Sequence, residues 1–200
     1  MMLQLEFWPT AAFAVVMLSW LAFVVVFASF LRQKPPSEPD RKRARTSIIG
    51  IVLQGAGYAL VWSVRRQPFT PIARFGEFFE IASAVLTMAL AIGSVWFCST
   101  AVRTLGKQWS LTARVLEGHK LITQGPYSVV RNPIYTGMLG MLLATGLAIS
   151  HWIGLVIALI VFAIGTAIRV CSEEKLLREA FGEEFEAYAR KVPAVVPFLF

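Results

Sequence analysis

Five apolar runs constrain this chain more than any other feature of its sequence. They cover approximately Pro9 to Leu31, Ile48 to Val64, Phe78 to Val102, Ile134 to Ile149 and Trp152 to Ile168. A helix of about 20 apolar residues crosses the hydrocarbon core of a bilayer, about 30 Å thick, with its backbone polar groups satisfied internally. The chain is 56% hydrophobic and 16% charged, which exceeds what a water-soluble core of this size requires. The runs therefore predict an all-α, polytopic integral membrane protein with about five transmembrane helices.

The distribution of Lys and Arg predicts how these helices are oriented. With the amino terminus outside, the cytoplasmic regions hold 6 (32–45), 5 (103–131) and 5 (169–191) basic residues, against 3 outside, which are Arg65, Arg66 and Arg74. Basic residues accumulate in cytoplasmic loops, so we expect the carboxyl terminus in the cytoplasm. The outside arginines mildly contradict this rule, and a second hairpin that does not fully cross the membrane is an alternative. The flanking charges also explain the net charge of +7 without nucleic acid, for which no recognition motif is present.

Turn-forming residues divide the runs. Pro68 and Pro71 interrupt any helix between the second and third runs, and only the residues SHW separate the fourth run from the fifth, which predicts a tight antiparallel hairpin. After the fifth run, apolar residues at helical spacing predict an amphipathic continuation with a bend or break at Gly182. The ending VPAVVPFLF cannot continue as a helix and is expected to dock on the protein body or the membrane interface.

Small and polarizable residues within the runs carry weaker expectations. Three glycines of the second run are available for close helix contact, namely Gly50, Gly55 and Gly57. Cys98 and Cys171 have no metal-ligand spacing, and we expect both to be buried, inert thiols. No metal site is predicted.

The stretch QGPYSVVRNPIYTG, residues 124–137, places turn chemistry directly before the fourth run. Pro133 suits the first position of a helix, and Asn132 is a strong capping residue. The amides at this helix end could hold an anionic group such as a carboxylate. Gly125 starts a turn that brings Tyr127 toward the helix. The residues alone leave a polar pocket and a plain headgroup anchor evenly matched.

A second polar cluster, RVCSEE, ends the fifth run. Because the hairpin connection is short, the start of the fourth helix and the end of the fifth must lie side by side, so the two clusters should meet. Arg169 and Glu173 are four residues apart and could simply form a salt bridge within the helix. Ionisable residues at membrane depth are costly, which makes Arg169 a functional candidate. His119, judged by residue type alone, is an ordinary loop histidine.

Together, GHKLITQGPYSVVRNPIYTG and EEKLLREAFGEEFEAYARKVP resemble the isoprenylcysteine carboxyl methyltransferase family of integral membrane enzymes. The resemblance covers roughly residues 104–197 and implies a site for S-adenosyl-L-methionine built from the loop and the two flanking helices. It also implies that Glu173 contacts the cofactor and that Arg169 is a catalytic residue facing the acceptor. The cofactor-binding positions it implies are His119, Lys120, Leu121, Ile122, Tyr127, Arg131, Asn132, Pro133, Ile134, Tyr135 and Glu173.

One position departs from the family pattern. Asn132 stands where the family's RHPxY motif has histidine, and an amide cannot carry a proton, so an acid or base role is excluded there. Transfer of a methyl group to a carboxylate needs positioning and electrostatics more than acid or base help.

The resemblance implies residues 104–200 as the cofactor-binding region and residues 1–103 as helices that shape access for the acceptor. The partners expected are membrane lipids and a lipid-like or prenylated acceptor, most simply the carboxylate of an isoprenylcysteine. Alternatives are a phospholipid or thiol methyltransferase with the same cofactor site, an NADPH-dependent membrane reductase similar to the steroid reductases, and a non-enzymatic membrane protein. The sequence predicts no oligomeric state.

Overall fold

Six helices dominate the structure, a computed structural model that describes residues 6–31, 40–43, 46–67, 69–106, 114–116 and 120–197. Among the described residues, the helices are α1 Phe7–Leu31, α2 Ser47–Ser63, α3 Glu77–Leu105, α4 Pro133–Ile149, α5 Trp152–Phe181 and α6 Glu183–Ala189. The first five contain the five apolar runs, so these helices and the hairpin between α4 and α5 are confirmed. The continuation of α5 is also confirmed, and the chain breaks at Gly182, whose φ of 53° suits a residue without a side chain.

Three of these helices are long and apolar enough to cross a membrane by length and composition, namely α1, α3 and α5. Helices α2 and α4 are also apolar but have only 17 residues each. The number of helices that fully cross therefore stays a prediction.

The five apolar helices run alternately between two ends of the protein. At the hairpin end, where α4 passes into α5, the His151 amide donates to the Val64 carbonyl at 2.9 Å. At the opposite end, which we call the loop end, the Thr46 and Ser172 hydroxyls lie 3.1 Å apart. Because α2 starts and the polar part of α5 finishes at the loop end, the described residues of the three basic regions share this end.

The loop end carries one feature that the all-α expectation missed. Strand β1, Asp40–Arg43, pairs antiparallel with strand β2, Arg114–Leu116, and Lys42 lies opposite Val115. The sequence analysis treated the first of these segments as a polar linker, because four charged residues carry no alternation of apolar and polar positions. The fold is therefore helical with a short two-stranded sheet.

Glycines allow α2 to pack tightly on α5. A methyl group at Gly50 would lie 2.6 Å from the Gly165 carbonyl oxygen, and one at Gly57 would lie 3.0 Å from Cβ of Phe162. The expectation of close helix contact is confirmed at these two positions. It is wrong for Gly55, around which there is nothing within 4 Å.

The three arginines at the hairpin end each have a local partner. Arg66 donates to the carbonyls of Leu147 and Ser150, both at 2.7 Å, and of Ala148 at 2.8 Å, so it neutralises the negative end of α4. Burial lowers the pKa of Arg66 to about 10, which leaves it charged at neutral pH. Arg74 pairs with Glu6 at 3.4 Å, and Arg65 lies over the Trp62 ring. These local roles account for basic residues at an end where the charge distribution predicts few.

The two cysteines differ in burial. Cys98 is fully buried between α3 and α4, as expected. Cys171 is exposed, so the expectation that both thiols are buried is wrong. It lies on a side of α5 that the described residues leave uncovered.

Candidate active site

Tyr135, Arg169 and Glu173 form a hydrogen-bonded group at the loop end, which we call the triad. The Tyr135 hydroxyl donates to Oε1 of Glu173 at 2.5 Å and accepts from Nε of Arg169 at 2.6 Å. The Nη2 group of Arg169 donates to the same Oε1 at 2.9 Å. The two polar clusters of the sequence therefore meet, and the salt bridge within α5 is one side of a larger group.

The hairpin and the packing of α2 position the triad. Tyr135 lies in the first turn of α4, and the connection to α5 brings that turn beside the second half of α5. The stem of Arg169 runs over Gly50, where a methyl group would lie 2.4 Å from its Cγ. The Arg169 guanidinium also lies 5.2 Å from the centre of the Tyr135 ring. These contacts hold Arg169 in one orientation.

Within the triad, Glu173 has the most exposed side chain. Its side chain is 26% exposed, against 6% for that of Arg169. Both described hydrogen bonds are accepted by Oε1, while Oε2 can accept from a ligand. A carboxylate in this state suits an ammonium group or sugar hydroxyls, both of which S-adenosyl-L-methionine carries. The carboxylate acceptor therefore fits that cofactor.

A second charged group, centred on the buried Glu174, lies beside the triad. Nε of Arg131 donates to Oε1 of Glu174 at 2.9 Å, and Nη2 of Arg178 donates to Oε2 of Glu174 at 3.2 Å. The Glu174 side chain is only 7% exposed. Arg178 also pairs with Glu186 of α6 at 2.8 Å. This group links the loop before α4 to both C-terminal helices.

The segment after α6, residues 190–197, lies along the start of α4. The backbone amides of Arg131 and Asn132 donate to the carbonyls of Pro193 and Ala194 at 2.8 and 2.9 Å. The Thr136 hydroxyl donates to the Val195 carbonyl at 2.5 Å. The expectation that the chain end docks on the body is confirmed for the described residues.

The turn Gly125–Ser128 is a short 3₁₀ helix fastened to α6. The Tyr188 hydroxyl donates to the Tyr127 carbonyl at 2.6 Å. Burial raises the pKa of Tyr188 to about 12, so it remains a donor at neutral pH. Burial, and then the nearby Glu173 carboxylate, raise the pKa of Tyr127 as well. Tyr127 is therefore a buried neutral phenol beside the triad.

The start of α4 is where the sequence predicted it, but the expected side-chain cap is wrong. Pro133 takes the first helical position, while the Asn132 side chain makes no capping bond and donates to the Ala194 carbonyl at 3.0 Å. The amides of Tyr135 and Thr136 both bond to the Asn132 carbonyl. The anion seat expected here is thereby reduced to the amide of Ile134, because Pro133 has none.

The remaining positions that the resemblance implied for cofactor binding lie before the turn. Lys120 is exposed, and Leu121 and Ile122 are half-buried in the extended segment that leads to Gly125. His119 lies outside the described residues.

Sequence reasoning placed Glu174 in the RVCSEE cluster but gave it no role, and it missed Tyr188 as part of this region. Glu174 follows Glu173, and neighbouring helix positions point in directions about 100° apart, so two faces of α5 carry carboxylates. The signal that could have found this pair was Arg131 in the loop before α4, because a buried carboxylate needs a charged partner. No pattern pointed to Tyr188, because its partner is a backbone carbonyl.

Residues 82–184 match the family described as phospholipid methyltransferase. This segment includes all of α4, the triad and the buried Arg131–Glu174 pair. The chain belongs to the phospholipid methyltransferase family. The resemblance to isoprenylcysteine methyltransferases is confirmed by the relatives described next.

The chain is 33% identical over 102 residues to protein-S-isoprenylcysteine O-methyltransferase B of Arabidopsis thaliana, covering 50% of this chain and 52% of that protein. It is 24% identical over 201 residues to protein-S-isoprenylcysteine O-methyltransferase of Schizosaccharomyces pombe, covering 98% of this chain and 78% of that protein. The chain spans about half to two thirds of the length of the first plant relatives that it matches. These names support a membrane methyltransferase and imply a methyl donor.

A relative with a different name matches a similar share of the chain. The cobalt-zinc-cadmium resistance protein CzcN of Cupriavidus metallidurans is 35% identical over 107 residues, covering 50% of this chain and 46% of that protein. Among the residues that the structure describes, no group of three or more His, Cys, Asp or Glu side chains could hold a metal ion.

Proposed function

We propose that this protein is a membrane methyltransferase that uses S-adenosyl-L-methionine and methylates the carboxylate of an isoprenylcysteine-type acceptor. The observation that carries the proposal is the triad, a reachable carboxylate fixed by a buried tyrosine and arginine inside the segment that matches the family. The names of the relatives support the reaction and the acceptor class.

The proposed cofactor site lies between Glu173 and the loop before α4. Glu173 would bind the ammonium group or ribose hydroxyls through Oε2, while the Ile134 amide would meet the cofactor carboxylate. Tyr127 would pack against the cofactor, and His119 to Ile122 would line its approach. When bound, the cofactor supplies an electrophilic methyl group, which passes to an acceptor oxygen as the carbon–sulfur bond breaks.

Arg169 is the proposed catalytic residue. Its bonds to Tyr135 and Glu173 fix its guanidinium in place, so its positive charge is available without reorganisation when an anionic acceptor arrives. The carboxylate nucleophile is already ionised at neutral pH and needs no general base. The absence of a histidine at position 132 is therefore compatible with this reaction.

The loop end would face the cytoplasm, where the basic regions favour it. The lipid-like tail of the acceptor would lie among the helices of residues 1–103, and residues 104–200 would supply the cofactor site. Membrane lipids would surround the exposed apolar faces. Because the family is named phospholipid methyltransferase, a phospholipid head group is the second acceptor to test.

A methyl-transfer assay tests the function. The detergent-purified protein is incubated with S-adenosyl-L-methionine labelled on the methyl group and, in parallel, with a prenylcysteine acid, a phospholipid and a small thiol. We expect base-labile methyl ester on the prenylcysteine. Glu173→Gln should abolish most of it, while Glu184→Gln on exposed α6 should not. Label transfer that is equal in Glu173→Gln and wild type would rule out the role of Glu173, and label on phospholipid alone would replace the acceptor.

A further inference from the structure

Glu174 is a buried carboxylate that the proposed reaction does not use. Its two oxygens accept from Arg131 at 2.9 Å and from Arg178 at 3.2 Å. The Glu174 side chain is only 7% exposed. With both oxygens bonded and almost no accessible surface, Glu174 cannot itself be a ligand of a cofactor. Any effect on the site must pass through its two arginine partners, and of these Arg131 lies in the loop before α4.

Arg131 fastens the C-terminal segment. Besides Glu174, its guanidinium donates to the carbonyls of Ala189, at 2.8 Å, and Val192. Its backbone amide donates to the Pro193 carbonyl at 2.8 Å. We call residues 188–195 the strap, because Tyr188 bonds to the 3₁₀ turn at one end and Val195 bonds to α4 at the other.

The residues that hold the strap lie next to the triad residues in two stretches of the chain. Arg131 and Asn132 hold the strap and directly precede α4, whose first turn carries Tyr135. Glu174, which holds Arg131, directly follows Glu173. The strap also covers the turn that contains Tyr127. A displacement of the strap would therefore free the loop before α4 and shift the first turn of that helix.

We propose that Glu174 is a positioning residue, which keeps the strap docked through Arg131 and thereby holds the cofactor site in its binding geometry. This inference rests on the proposed function. The charge of Glu174 compensates a buried guanidinium, which would otherwise leave its strap carbonyls for water. Glutamine at this position keeps the size and one acceptor oxygen. Its NH₂ group, however, is a donor and would face the N–H donor of one of the two arginines.

The test compares Glu174→Gln with Glu186→Gln. The control breaks the exposed pair with the same Arg178 and leaves the contacts between Arg131 and the strap intact. Three quantities are measured: amide hydrogen exchange of residues 188–197 without ligand, the Kd for S-adenosyl-L-methionine, and kcat at saturating cofactor. For Glu174→Gln we expect faster exchange in the strap and a Kd about tenfold higher, with kcat within about threefold of wild type. Glu174→Asp should recover part of the affinity, and Glu186→Gln should match wild type.

A milder variant guards against misfolding of Glu174→Gln. Thr136→Val replaces with a methyl group the hydroxyl that bonds to the Val195 carbonyl at 2.5 Å and more weakly to the Asn132 carbonyl at 3.4 Å. It should change exchange and Kd in the same direction by about threefold. Wild-type binding of the cofactor combined with unchanged exchange and Kd in both variants would overturn the inference. Wild type that does not bind the cofactor would instead contradict the proposed function. The exchange measurement would then still test whether Glu174 keeps the strap docked.

Discussion

The substitution Tyr135→Phe removes one oxygen from the centre of the triad. It leaves the ring, and with it the contact 5.2 Å from the Arg169 guanidinium. Two hydrogen bonds are lost, one to a carboxylate at 2.5 Å and one from a guanidinium at 2.6 Å. Each such bond to a charged group is worth about 1.5–3 kcal/mol. The ion pair between Arg169 and Glu173, at 2.9 Å, stays in place, and Nε of Arg169 can turn to the same carboxylate and restore part of this loss.

We therefore expect Tyr135→Phe to lose about 1.5–3 kcal/mol, divided between the stability of the fold and the affinity for cofactor. If half appears in binding, the Kd for S-adenosyl-L-methionine rises about three- to tenfold. Calorimetric titration in detergent measures the affinity, and a thermal melt of the same sample measures the stability.

A matched control distinguishes an effect on the cofactor site from the general effect of losing a buried hydroxyl. Tyr58→Phe removes a phenol that donates to the Met138 carbonyl at 2.7 Å, between α2 and α4. It should lower stability by about 1 kcal/mol and leave cofactor affinity unchanged. Equal affinities in Tyr135→Phe, Tyr58→Phe and wild type would refute the claim that the triad shapes the cofactor site.

Two further predictions concern the scaffold. Arg66→Lys keeps the charge but cannot reach all the carbonyls at the end of α4, so it should destabilise the protein by about 1–2 kcal/mol, and an unchanged melting temperature would argue against this role. Gly50→Ala would put a methyl group 2.4 Å from Cγ of Arg169, so overpacking of about 1–3 kcal/mol should displace Arg169 and lower methyl transfer. Gly55→Ala, with nothing within 4 Å, should be neutral or stabilising in the same assays.

The central arrangement was predictable because it follows from connectivity. Apolar runs located the helices, and Pro133 marked the start of α4. The short hairpin then required Tyr135 and Arg169 to share one end of the bundle. The only chemistry needed was that an arginine and a carboxylate at membrane depth seek partners.

Docking of the chain end was expected, but the individual contacts of the strap and the pairing of the sheet were not predictable, for a different physical reason. The sheet pairs backbone with backbone, and the hydrogen bonds of the strap are accepted by backbone carbonyls, such as that of Ala194, which are identical in every residue. The same limit explains why Asn132 was expected to cap α4. Its side chain can either cap the helix or bond to a neighbouring carbonyl, and in the structure it bonds to the Ala194 carbonyl of the docked strap. Arg66 was counted as a topology signal because its carbonyl partners leave no pattern in the sequence.

The most direct test of the proposed function is to titrate the detergent-purified, full-length protein with S-adenosyl-L-methionine and NADPH side by side. The triad predicts saturable binding of S-adenosyl-L-methionine, which Glu173→Gln weakens and Glu184→Gln does not, with no saturable binding of NADPH. Tight binding of NADPH without binding of S-adenosyl-L-methionine would contradict it.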